Sequence, residues 1–115
     1  MPLLLFHVNI ITNKMNKIIE SNLNQIKNYC RQYAVERLHA FGSVTSDQFT
    51  DDSDIDFLIK FKDISCEQYA DNYFRLHELF RILFDRKVDL ITENMLSNPY
   101  FINKINQTKM ILYEG

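Results

Sequence analysis

From Met15 to about Tyr33, apolar residues Met15, Ile18, Ile19, Leu23, Ile26 and Cys30 recur at helical spacing, so this stretch reads as an amphipathic helix. Its start is open, because Ser21 is also a candidate cap. Arg37 to Phe41 reads as a short strand ended by Gly42, followed by a polar turn or short helix and an exposed loop from Ser43 to Ser53. Asp54 to Phe61 alternates as a second strand. A helix capped by Ser65 follows, with Tyr69, Tyr73, Leu76, Leu79, Phe80 and Leu83 as its buried stripe, ending near Phe84 or Asp85. Lys87 to Thr92 alternates again as a third strand. Met95 onward suggests a short helix interrupted at Asn98-Pro99, since a residue before proline avoids the helical region. A further helix is expected from about Tyr100 to Thr108, and the tail KMILYEG is either a last helical turn or a short strand.

This order describes a small α+β (α/β) domain with a mixed sheet and helices mainly on one face. The short connection favours antiparallel pairing of the first two strands. At 115 residues, 46% hydrophobic and 24% charged, the chain has room for one core. A net charge of -2 provides no general attraction to nucleic acid or to an anionic membrane, so direct nucleic-acid binding is not expected. Cys30 and Cys66 form no CxxC pair, and free thiols in a reduced, cytoplasmic setting are expected. Residues 1–14, with the apolar run MPLLLFHVNII, have no basic region before it or small-residue cleavage site after it, and the run is too short to span a bilayer. They read as an extension ahead of a domain over residues 15–115, with Met15 as an alternative start.

Candidate chemistry concentrates in FGSVTSDQFTDDSDIDFLIKF. In an extended strand, residues two apart share a face, so Asp54 and Asp56 project together, away from Ile55, Phe57 and Ile59. Paired carboxylates repel each other and are poor packing, whereas hard oxygen ligands are what magnesium binds. Asp89 falls opposite Val88 and Leu90, and joins the pair if the second and third strands are neighbours. Three such carboxylates are enough for one or two metal ions that stabilise attacking and leaving oxygens at phosphorus. Asp89, standing apart, is the natural acceptor for the proton of an attacking hydroxyl. Gly42 lets backbone approach a phosphate, and Ser43 with the following amides can bind phosphate oxygens. The chemistry is that of a metal-dependent enzyme acting on a nucleoside triphosphate. His39 and His77 read as structural, the aromatic stripe as core with part of it available as an interface, and Lys60, Lys62, Arg81, Arg86 and Lys87 as solvated charges.

Gly42-Ser43, ten intervening residues, Asp54-Ile55-Asp56 and a later strand aspartate, Asp89, resemble the pattern of the DNA polymerase beta-like nucleotidyltransferase superfamily. LHAFGS, DDSDIDFLI and RKVDLITENMLSNPYFINKI are similar to its minimal nucleotidyltransferase (MNT) group, over roughly Met15 to Tyr113. The resemblance implies a polymerase beta-like fold and magnesium-dependent transfer of a nucleoside monophosphate from a triphosphate to a hydroxyl. Many MNT proteins are antitoxins of HEPN ribonuclease toxins, and several add AMP to a toxin tyrosine. By position, Asp54, Asp56 and Asp89 match the metal carboxylates, and Gly42 and Ser43 the triphosphate turn. Thr45-Ser46-Asp47 departs from the alanine, variable residue and glycine that many members carry there, and places an extra acid near the triphosphate.

Almost nothing is left over beyond the catalytic core to receive an acceptor, so the expected reaction moves AMP from ATP to a hydroxyl on a partner, a HEPN-type toxin. Two alternatives are a transferase for small molecules such as aminoglycosides, and an antitoxin acting by binding alone. Retention of three clustered carboxylates, costly without a role, opposes the last.

Overall fold

The computed structural model describes residues 15–115, so the expected extension over residues 1–14 lies outside the described residues. Strands β1 (Val35–Phe41), β2 (Ile55–Phe61), β3 (Val88–Thr92) and β4 (Met110–Glu114) form one mixed sheet in the order β3-β2-β1-β4. β1 runs antiparallel to β2, as its short connection requires, and antiparallel to β4. β2 and β3 are parallel, which demands a crossover; the helix between them supplies it. Of the two forms open to the tail, the strand is realised, because the outer side of β1 offers backbone partners to Met110–Glu114.

The helix expected from Met15 to Tyr33 is two: α1 (Lys17–Ser21) and α2 (Leu23–Gln32). Asn16 caps α1, its side chain accepting from the Ile18 amide at 2.9 Å. Asn22 ends it by turning its amide back to donate to the Ile18 carbonyl at 2.8 Å, a local bond that competes with helix continuation. α3 (Cys66–Phe84) starts at Ser65, whose hydroxyl accepts from the Gln68 amide, and stops where Asp85 adopts a left-handed φ of 49°. The helix expected at Met95 is a 3-10 turn over Glu93–Met95. Pro99 does not interrupt a helix but opens α4 (Pro99–Thr108), with the Asn98 side chain capping the amides of Tyr100 and Phe101.

Alternation along the strands sorts their side chains onto two faces. Leu38, Ala40, Ile55, Phe57, Ile59, Val88 and Leu90 meet α1–α3 in the main core, where Phe57 and Phe80 lie 4.9 Å apart between ring centres. Both rings are fully buried, each contributing roughly 1.5–3 kcal/mol of apolar burial. Phe41 and Leu58 face the other way and meet α4 through Ile105. β3 lies at one border of the sheet, and two of its carbonyls are taken by α3. Tyr73 donates its hydroxyl to Leu90 at 2.6 Å, and the His77 Nε2 lies 2.7 Å from the Val88 oxygen. No helix among the described residues is long and apolar enough to cross a membrane.

Candidate active site

Strand register brings the acids together. Asp56 on β2 is the direct partner of Asp89 on β3, and of Phe41 at the end of β1. All three point to the α4 side, since their neighbours Ile55, Phe57, Val88 and Leu90 fill the main core. Asp54 sits one residue before β2 rather than in it, yet remains at the same corner. There the Lys87 ammonium lies 3.6 Å from Asp54 Oδ2 and 3.9 Å from Asp89 Oδ1.

Half-burial pushes the Asp56 carboxyl up to about 6. A hydrogen bond with Asp89 and the negative charges of Asp89 and Asp54 push the same way, against a smaller opposing pull from Lys87. A carboxyl so placed gains from any cation that shares the corner. Among the described residues no three acidic, histidine or cysteine side chains are drawn to one point at ligating distance. Lys87 stands between Asp54 and Asp89 instead, doing with one ammonium what a cation would do more strongly. Asp54 and Asp89 flank that ammonium and Asp56 hydrogen-bonds Asp89, and carboxylate oxygens of this kind are the hard donors magnesium takes.

Gly42 completes the corner from β1. Its φ of +75° is left-handed, and a Cβ there would come within 2.5 Å of Asp56 Oδ2. Only glycine lets the backbone pass this close to the carboxylate. Ser43 follows in a 3-10 turn (Gly42–Thr45) held by Thr45 Oγ1 donating to the Gly42 carbonyl at 2.7 Å and by the Ser46 amide donating to the Ser43 carbonyl. The Gly42 amide itself donates to Thr108 Oγ1 at the end of α4, at 3.2 Å. Asp47, the departing acid, is exposed just beyond the turn.

Three side chains gain roles that residue type alone does not reveal. Lys87 and Arg86, read as solvated charges, contact the acids and the loop ahead of them respectively, and Thr108 holds the turn. Lys60 and Arg81 do sit at the surface, paired with Glu36 and Glu78. His39 is half-buried as expected, with Nδ1 lacking a partner among the described residues, and burial lowers its pKa. Cys30 is a buried free thiol, pushed up to about 12 by burial, and Cys66 is exposed and free. An apolar groove of about 480 Å³ lies beside Tyr69, Tyr73, Phe74 and Met95 and along Leu90 of β3, and none of the three acids lines it.

This fold, with acids on two parallel neighbours and a glycine turn against them, defines a nucleotidyltransferase-type enzyme. The chain belongs to the polymerase beta nucleotidyltransferase family, which it matches over residues 24–115. Two proteins of Methanocaldococcus jannaschii provisionally named protein adenylyltransferases are similar to it. One is 32% identical over 76 residues, covering 66% of this chain and 75% of that protein. The other is 31% identical over 96 residues, covering 83% and 91%. Among solved structures, a protein provisionally described as a minimal nucleotidyltransferase superposes with a TM-score of 0.67 at 22% identity, over 80% of this chain and 90% of that one. A chain from the complex of tri-AMPylated Shewanella oneidensis HEPN toxin with its MNT antitoxin superposes with a TM-score of 0.55 at 19% identity, over 84% and 72%. At these identities the superpositions speak for the fold.

Proposed function

We propose that the protein transfers AMP from ATP to a tyrosine hydroxyl of a partner protein, as the antitoxin of a cytoplasmic HEPN-type toxin. The observation that carries the reading is the Asp56–Asp89 register pair with Gly42 backed against it. The adenylyltransferase names of the relatives and the toxin–antitoxin setting of the structural neighbour favour a protein as acceptor.

Asp54, Asp56 and Asp89 are the residues that would hold magnesium, sharing it with the substrate phosphates, as that ion commonly does. When bound, the ion would neutralise phosphate charge and stabilise the oxygens that gain charge at phosphorus. Gly42 lets the turn pass close against Asp56, and Ser43 with the turn amides offers hydrogen bonds to the triphosphate oxygens. The tyrosine oxygen forms a bond to the α-phosphorus as the bond to the bridging oxygen breaks and pyrophosphate leaves. Asp89, on a strand apart from Asp54 and Asp56, is the residue placed to take the tyrosine proton. Lys87, 69% exposed and mobile on its stem, can move from the acids to the phosphates as they arrive.

The test is incubation of the pure protein with α-labelled ATP, magnesium and a HEPN partner. Label on a partner tyrosine, abolished by chelation and by Asp54→Ala with Asp56→Ala, is the expected result. Label on a small molecule, or tight unlabelled association unaffected by the double substitution, would overturn it.

A further inference from the structure

Between the Gly42 turn and β2, the chain crosses an exposed loop that carries no regular structure from Ser46 to Asp54. Its position nevertheless sets where Asp54 stands. One side chain holds it from the far side of the sequence. Arg86 Nη1 donates to the Thr50 carbonyl at 3.1 Å and to the Ser53 carbonyl at 2.9 Å. The same guanidinium lies over the Phe49 ring, 4.7 Å from its centre, and Phe49 packs on the main core. Arg86 stands two residues before β3, so the contact joins the backbone immediately ahead of Asp54 to the segment that leads into the strand of Asp89. A further bond along this seam, the Ile55 amide donating to the Lys87 carbonyl at 3.1 Å, starts the parallel pairing of β2 with β3.

We infer that Arg86 is a positioning residue for the transferase site, clamping the loop so that Asp54 is presented beside Asp89. The inference rests on the proposed function and adds to it a residue that touches neither nucleotide nor acceptor. Lysine cannot replace it. Nη1 alone serves both carbonyls while the guanidinium carbon lies over the ring, a reach and flat contact that a hydrated ammonium on a thinner stem does not reproduce. Phe49 is the other half of the clamp, as a cation–π partner.

Arg86→Lys and Phe49→Leu test this in the full chain. Magnesium binding is measured by calorimetry with a non-hydrolysable ATP analogue present, beside thermal unfolding and amide exchange over residues 46–55. The expected result is magnesium affinity lower by about tenfold in Arg86→Lys, in the range seen when outer-shell partners of metal ligands are lost. Phe49→Leu should fall between it and the parent. KM for the magnesium nucleotide should rise with the weakened affinity, and exchange should quicken in the loop while α2 and α3 stay protected. Arg86→Lys that unfolds more easily yet binds magnesium as tightly as the parent would make the clamp a matter of stability alone and overturn the inference. A parent protein that binds no magnesium and transfers nothing would sink the proposed function and this inference with it.

Discussion

Gly42 and Asp56 occupy each other's space: the position a Cβ would take on the glycine is 2.5 Å from the carboxylate oxygen. Gly42→Ala must therefore move the acid or the turn, and it also forces a side chain onto a φ of +75°. The cost of that conformation is about 1–2 kcal/mol, readable as a lower urea midpoint. Displacing Asp56 by an ångström should lower AMP transfer by at least about 100-fold, far beyond the loss of folded protein.

Asp56→Asn should separate stability from activity. The folded carboxyl titrates near 6, above the ordinary 3.8, so its protonated form is the one the fold prefers. That preference contributes fully below pH 4 and is lost as pH rises through 6. At pH 7.5, without metal, Asp56→Asn should be more stable than the parent by about 1 kcal/mol once solvent screening is allowed for. The gap should close below pH 4, and transfer activity should be absent throughout. Thermal melts at both pH values check the sign.

Arg37 and Glu93 give the opposite pH signature. Arg37 Nε and Nη2 donate to the two Glu93 oxygens, each at 2.8 Å, joining the centre of the sheet to the 3-10 turn after β3. These bonds hold Glu93 below its ordinary range. The contribution is present above about pH 4.5 and is lost as pH falls through the lowered value. Glu93→Gln should lower the urea midpoint at pH 7 and match the parent near pH 3.

Much of this arrangement was legible in advance, for reasons that differ by element. Ile55, Phe57 and Ile59 on one strand, and Val88 and Leu90 on the other, turn to the main core, and that alternation located Asp56 and Asp89 on the opposite face, which Leu58 shares. Ser65 announced α3 through a capping interaction that needs only local chain. The break at Asn22 was hidden, because Ile18, Ile19, Leu23 and Ile26 keep helical spacing across it and only a side-chain bond to Ile18 decides the matter. MILYE has too few residues to declare its period, and pairing with β1 makes it a strand. Arg86 escaped notice because its partners are carbonyl groups in a loop 33 and 36 residues earlier. Residue type carries no trace of such a contact.

Tyr73→Phe tests the seam between α3 and the sheet border. Removing the hydroxyl leaves the Leu90 carbonyl without the donor now 2.6 Å away, at a cost of about 1 kcal/mol. Chemical denaturation measures the cost. Faster light scattering on gentle heating than in a variant of equal stability, such as Glu93→Gln, would report the exposed backbone itself.

With the Val88 and Leu90 carbonyls already engaged by α3, the sheet border along β3 has two of its acceptors occupied. Endless polymerisation by strand addition needs two receptive borders, because each new copy must both take and offer a seat. With two acceptors on β3 already taken, strand addition at that border is disfavoured.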